Sequence, residues 1–234
     1  MRLVLLPGLN GSHRLFAPLL PFLSERQVTT LELPQQGPQD PDSLATALAG
    51  QLGDSPFVLL GESFSGPVAY RLALRQPQGL HGVIFAASFL RCPHPLLPLT
   101  RYLPLPGSLL NSGALLKLFC LDQRASPALL KLLREEIRQL PHVLLRARLR
   151  SLSDLQEPTQ PLELPCLHLL PRQDRLVSRC AAVLQQYCLN LQQLALDGPH
   201  FLLQSQPAAC AQAINDFIQR LPQEQLMPKA GTTH

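Results

Sequence analysis

Short apolar runs and helix-like segments alternate along most of this chain. Leu3 to Leu6, Phe57 to Leu60 and Gly82 to Ala87 are near-continuous hydrophobic stretches, the pattern of strands buried on both faces, and Val28 to Leu33, Leu164 to Leu170 and Leu191 to Leu196 read as further strands. Between them, His13 to Ser24 carries Leu15, Phe16, Leu19, Leu20 and Leu23 at helical spacing. Pro41, Asp42 and Ser43 mark a helix start and Gly53 its end, while Ala69 to Gln76, Val177 to Cys188 and Pro207 to Leu221 complete the helical set. Such alternation predicts an α/β domain with an open, mostly parallel sheet covered by helices on both faces. From Ser88 the rhythm stops, and a Pro- and Leu-rich stretch runs to about Glu157. Within it, Ser126-Pro127 opens a helix with Leu129, Leu130, Leu133, Ile137 and Leu140 on its apolar face, and Pro141 separates a second, Val143 to Leu155. The division expected is a core of residues 1–90 and 158–221, a helical insertion over 91–157 and a frayed tail over 222–234.

The stretch PFVLLGESFSGP, Pro56 to Pro67, passes from a buried strand into a helix with room only for a very tight turn. At such a bend one residue takes a strained backbone conformation and its side chain stands clear of the sheet; here it is Ser63. Gly61 and Ser65 supply the small residues needed where strand and helix nearly touch. The pattern departs from the usual G-x-S-x-G, with Ser65 at the last small position and the glycine displaced to Gly66. Taking Ser65 as the nucleophile would put Pro67 at that close-packed position, a worse fit. Ser63 as a simple helix cap is the competing reading.

In an open parallel sheet the ligand crevice lies beyond the carboxyl ends of the strands. Two candidates follow the last two strands there: Asp174 in PRQDRLVS and His200 in DGPHF. A serine hydroxyl needs a base within hydrogen-bond reach, which His200 would supply, with Asp174 fixing its tautomer. Asp197, three residues before His200, and Asp154, at the end of the insertion, are alternatives for the orienting acid. The remaining chemistry is main-chain: the amides of Leu9, in the glycine-flanked turn after the first strand, and Phe64, at the elbow, could hold an oxyanion.

Chain order Ser63, Asp174, His200, with LLPGLNGS, GESFSG, PRQDRLV and DGPHFLLQSQP in sequence, resembles the α/β-hydrolase superfamily over nearly the whole chain. It is most similar to compact, lidded carboxylesterases of the kind that act on pimeloyl-acyl-carrier-protein methyl esters. The resemblance implies an α/β-hydrolase fold without the first antiparallel hairpin, hence six strands in spatial order 2-1-3-4-5-6. It also implies that the insertion is a lid, and that the family's His-Gly at the first turn is replaced by Pro7-Gly8. Leu129, Leu133, Leu144 and Leu145 could then line an acyl pocket or simply pack on the core, with Phe89 and Phe201 nearer the substrate.

Composition narrows the class. Hydrophobic residues make up 46% of the 234 and charged residues 15%, and no apolar run approaches the roughly 20 residues of a membrane helix, so no membrane span is expected. MRLVLLPGLNGS reads as a first strand rather than a signal peptide, and the expected location is cytoplasmic. Cys92, Cys120, Cys166, Cys180, Cys188 and Cys210 show no metal-type spacing; free thiols, no metal and no cofactor are expected. The formal net charge is only +4, yet residues 91–150 hold ten basic against three acidic side chains, a local +7 that leaves −3 for the rest. Lys131, Arg134 and Arg138 fall on one helical face and Arg146 with Arg150 on another, either as a solvated surface or as a dock for an acidic partner such as an acyl carrier protein. Nucleic acid is not an expected partner, since no aromatic platform accompanies the charge. The reading reached is a serine carboxylesterase acting on a small or carrier-bound ester with an aliphatic acyl chain. A thioesterase or acyltransferase with the same triad, and a non-hydrolytic receptor on this fold, are the alternatives.

Overall fold

The computed structural model describes residues 1–95, 97–98, 126–177 and 181–222. A six-stranded sheet organises them: β1 (Arg2–Leu6), β2 (Val28–Thr30), β3 (Phe57–Glu62), β4 (Leu80–Ala86), β5 (Leu162–Pro171) and β6 (Cys188–Leu196). Every pairing is parallel and the spatial order is β2-β1-β3-β4-β5-β6, as expected for an α/β-hydrolase sheet. Strand period sorts the apolar residues onto two faces. Val4, Leu6, Leu59 and Phe85 pack with Leu44, Leu48, Val68 and Leu72 of helices α1 (Pro41–Ala49) and α2 (Ser65–Leu74). Leu3, Leu5, Leu60 and Ile84 pack on the other face with Phe16, Leu203, Ile214 and Phe217. The central strands are buried on both sides, which is why they read as unbroken apolar runs.

Between β4 and β5 the described residues form α3 (Pro127–Gln139) and α4 (His142–Ser153), split at Pro141 as the sequence predicts. Ser126 caps α3, its hydroxyl accepting from the Leu129 amide. Residues 96, 99–125 and 178–180 of the chain, with Arg101, Lys117, Asp122, Arg124, Cys120 and Cys180, lie outside the described residues, as does the tail from 223. After β5 come α5 (Ala181–Tyr187), β6, the short α6 (Leu202–Ser205) and α7 (Pro207–Arg220).

Cys188, expected to end the helix that begins at Val177, instead opens β6, and two further elements differ from expectation. The segment His13 to Ser24 is not an α-helix but two 3-10 turns, His13–Phe16 and Leu20–Leu23, because Pro18 and Pro21 remove the amide donors a continuous helix needs. β2 ends at Thr30 rather than Leu33, since Leu33 donates to the Gly11 carbonyl and so leaves the sheet for the turn after β1.

The elbow between β3 and α2 shows why small residues are required there. A Cβ on Gly61 would lie 2.5 Å from the Ser65 carbonyl oxygen, and one on Gly66 would lie 1.7 Å from Ser88 Oγ and 2.7 Å from its Cβ. Ser65 is fully buried and its hydroxyl donates to the Pro7 carbonyl, so the residue that replaces the usual glycine ties α2 to the turn after β1. Gly66→Ala is expected to destabilise the fold by about 1–3 kcal/mol through overpacking. Ser88→Gly alone should also destabilise, since it removes the bond to the Ser63 carbonyl, but Gly66→Ala combined with Ser88→Gly should lose less than the sum of the two single losses, as read by urea unfolding; strictly additive losses would show that the contact with Ser88 is not the cause.

Candidate active site

The end of β3 delivers Ser63 into a left-handed conformation, φ 47°. That geometry is unfavourable for a residue with a Cβ, and both flanking peptide groups are held against it. The Ser63 amide donates to the Ala86 carbonyl at 2.9 Å, and the Ser63 carbonyl accepts from Ser88 Oγ at 2.7 Å and from the Gly66 amide at 3.0 Å. The side chain thus stands at the carboxyl edge of the sheet. Asp174 arrives from the turn after β5 and His200 from the loop between β6 and α6.

These three side chains form a continuous chain of hydrogen bonds. Ser63 Oγ lies 2.8 Å from His200 Nε2, and His200 Nδ1 lies 2.8 Å from Asp174 Oδ2. The other Asp174 oxygen accepts from the Leu176 and Val177 amides at 2.7 and 2.9 Å. Burial alone pushes the Asp174 carboxyl up. The hydrogen bond and charge of His200, with the two amides, outweigh it and hold the group below its ordinary value. An ionised Asp174 can only accept, so Nδ1 carries the imidazole proton and Nε2 is left to take the serine's. The His200 ring is steadied edge-on against Phe201, with centroids 5.8 Å apart.

The alternative acids do not reach the imidazole. Asp197 is exposed and pairs with Arg172 at 3.7 Å, and Asp154 caps α4 and pairs with Arg150 at 3.9 Å. His13, at the mouth of the turn after β1, pairs with Glu32 at 2.8 Å. Leu9 lies in that turn and Phe64 at the N-cap of α2. Among the described residues neither backbone amide has a protein acceptor.

Above Ser63 lies an apolar cavity of about 310 Å³. Leu9, Phe64, Phe89, Phe201, Leu133 and Leu145 line it, but Leu129 and Leu144 do not, contrary to expectation. Leu129 is a turn too early on α3 and packs with Leu15 and Leu133; on α4 the stripe Leu145, Leu149, Leu152 faces the cavity, and Leu144 is turned about 100° away from it. Ile137 and Leu140 complete the α3 side.

Three charged residues of the site region were not foreseen. Glu62, the last residue of β3, is buried at the cavity floor and accepts from Gln204 Nε2 at 2.7 Å; burial drives its carboxyl pKa up despite Gln204, the charge of His200 and the Gly8 amide. Its place in GESFSG, a charge ending a buried strand, was the available signal. Glu136 of α3, also buried, meets Asn10 Nδ2 at 3.2 Å and Arg14 at 3.1 Å. Arg148 of α4 is wholly buried against the turn after β1.

Of the basic residues predicted to be outward, Lys131, Arg138, Arg146 and Arg150 are exposed and Arg134 is half-buried. Lys131 pairs with Glu135 and Arg150 with Asp154, each at 3.9 Å along its own helix. Among the described residues no three His, Cys, Asp or Glu side chains come together as a metal-binding set, and no helix is long and apolar enough to cross a membrane.

Fold and residue layout point to one class, and comparison with known proteins agrees. Residues 3–213 match the family model described as the alpha/beta hydrolase family, and the chain belongs to that family. A pimeloyl-[acyl-carrier protein] methyl ester esterase from Shewanella woodyi is 35% identical over 91 residues, a match that spans 37% of this chain and only 35% of that protein. The enol-lactonase from Burkholderia xenovorans LB400 is similar in structure, with a TM-score of 0.79 at 18% identity over 94% of this chain and 91% of its own. A thermophilic esterase from Thermogutta terrifontis has a TM-score of 0.77 at 19% identity, covering 94% of this chain and 90% of its own.

The Asp174 environment carries a pH signature. Its folded pKa is depressed, so the stability it contributes is fully present above the unfolded value of about 3.9 and is lost as pH falls through the lower folded value. Thermal melts of wild type and Asp174→Asn are expected to differ most near neutral pH and to converge as pH is lowered below about 4. A gap that stays constant to pH 3 would contradict this.

Proposed function

We propose that this protein is a serine carboxylic ester hydrolase working through an acyl-enzyme. The observation that carries the proposal is the unbroken pair of 2.8 Å bonds from Ser63 through His200 to Asp174. In this reading His200 Nε2 takes the Ser63 proton as Oγ attacks the ester carbonyl, forming a tetrahedral oxyanion. The Leu9 and Phe64 amides hold that charge, each contributing roughly 3 kcal/mol to lowering the barrier. Asp174 stabilises the imidazolium, which returns its proton to the departing alcohol. Water then enters, His200 takes its proton as it adds to the acyl carbonyl, and collapse of the second tetrahedral state breaks the bond to Oγ, which regains the proton from His200 as the acid leaves.

The substrate class follows from the cavity. Its lining is almost wholly aliphatic and aromatic, and at about 310 Å³ it sits at the lower end of ligand-pocket volumes, which fits a short or medium aliphatic acyl chain. Helices α3 and α4 act as the lid. The partial likeness to a pimeloyl-[acyl-carrier protein] methyl ester esterase favours a carrier-borne methyl ester as one specific case. Exposed Lys131, Arg138, Arg146 and Arg150, with Arg134, would then meet the acidic surface of an acyl carrier protein.

Purified protein is expected to hydrolyse p-nitrophenyl butyrate, and Ser63→Ala to lose at least about 10³-fold in kcat while still folding. Ligand binding without turnover would favour a receptor, and faster turnover of thioesters or alcohol acceptors a thioesterase or acyltransferase. Arg134→Glu with Arg138→Glu should slow cleavage of a carrier-bound ester and leave p-nitrophenyl butyrate unchanged. Equal losses on both substrates would remove the docking role.

A further inference from the structure

Arg148 is the largest side chain withdrawn completely from solvent among the described residues, and no carboxylate among those residues pairs with it. Among the described residues its guanidinium donates to neutral oxygens: Nη1 to the Leu9 carbonyl at 2.8 Å, Nη2 to the Pro34 carbonyl at 3.2 Å and Nε to Gln39 Oε1 at 3.0 Å. Burial lowers its pKa only to about 10, so the group is a cation at neutral pH. A buried charge without a counter-charge is costly, and a Met or Leu of similar bulk would fill the space without that cost. The position of the charge is therefore informative.

It touches both residues whose amides stand free at the site. Beyond its bond to Leu9, the guanidinium carbon lies 5.9 Å from the centroid of the Phe64 ring. The turn is moulded around it: Gly11 takes φ 74°, and a Cβ there would lie 2.4 Å from Arg148 Nη1. The Leu9 amide belongs to the preceding peptide unit, whose Gly8 carbonyl accepts from the Gly11 amide at 2.9 Å, so the bonds to the Leu9 and Gly8 carbonyls together restrain the direction of the Leu9 amide.

We infer that Arg148 is a positioning residue that sets the oxyanion-binding turn and adds a fixed positive charge behind it. This inference rests on the serine-hydrolase reading above. Negative charge develops on the substrate oxygen only in the tetrahedral state, and a pre-set cation in a water-poor region stabilises that state more than the neutral ester. Its loss should therefore act on kcat and on transition-state mimicry, and much less on substrate binding.

The test compares wild type, Ser63→Ala, Arg148→Met, Arg148→Lys and Gln39→Leu as full chains, using p-nitrophenyl butyrate and the inhibitor butylboronic acid, which mimics the tetrahedral anion on serine. Arg148→Met is expected to lower kcat by about 10- to 100-fold with KM within about threefold, and to weaken boronate inhibition by a comparable factor. Arg148→Lys keeps the charge without the fork and should recover part of both losses. Gln39→Leu, which removes one bond to the guanidinium, should give a smaller loss of the same kind, and it decides the matter if circular dichroism shows Arg148→Met unfolded. A folded Arg148→Met with kcat and boronate affinity within about twofold of wild type, or a Gln39→Leu with both unchanged when Arg148→Met does not fold, overturns the inference. Activity that survives Ser63→Ala overturns the hydrolase mechanism itself, an outcome distinct from either.

Discussion

The strained turn at Ser63 is the constraint from which the rest of the site follows. A left-handed residue with a Cβ costs roughly 1–2 kcal/mol, and an isolated strand-to-helix junction would relax out of it. Here it cannot relax: Ser63 is bonded at its amide to β4 and at its carbonyl to Ser88, while Gly61 and Gly66 let α2 close to within contact of the neighbouring backbone and Ser88. The consequence is that Oγ projects from the sheet's rim at one fixed point. The loops after β5 and β6, which open at that same rim, supply the two groups that meet it.

Electrostatics around His200 is divided between two carboxyl groups pushed in opposite directions. Asp174 is held ionised by amides and the imidazole, whereas Glu62 is driven toward its protonated form by burial. Carboxyls whose environments separate their pKa values can take different tasks in one site. The imidazole is thus oriented by a full negative charge at Nδ1, and the second carboxyl, bonded to Gln204, braces the cavity floor without competing for the same proton.

Much of this was legible in the sequence, and what was not has identifiable causes. The parallel sheet and its order could be read because central strands are buried on both faces and announce themselves as apolar runs. Ser63, Asp174 and His200 could be located because each lies within four residues of the end of a strand-like segment, so strand ends alone brought them to one edge. Which stripe of α3 and α4 faces the cavity could not be read, because each helix carries leucines over an arc of roughly 140–160° and only docking chooses which part of it faces inward. Arg146, Arg148 and Arg150 look alike in sequence. Yet Arg148 alone shares a face with Leu144 and Leu152, four residues to either side and both buried, and that i, i+4 pattern was a usable sign of an inward arginine. Over 13–23 the helical spacing of apolar residues conceals two 3-10 turns, and only Pro18 and Pro21 mark where a continuous helix must break.

The two departures from the family pattern, Ser65 at the elbow and Pro7-Gly8 at the first turn, prove to be one feature. The Ser65 hydroxyl donates to the Pro7 carbonyl, so the residue that could have been glycine anchors the turn where it begins. Farther along, Arg148 holds Leu9 and Glu136 holds Asn10, bringing α4 and α3 onto the same few residues. A turn with no regular secondary structure is in this way held at three successive points by three helices. On the proposed mechanism, the Leu9 amide needs to be aimed before charge develops, because donors that must reorganise during the reaction stabilise its transition state less. The same contacts bind the helices that roof the cavity to the turn beneath it, so any displacement of α3 or α4 must break bonds to the residues beside Ser63, and cavity shape and amide geometry cannot vary independently.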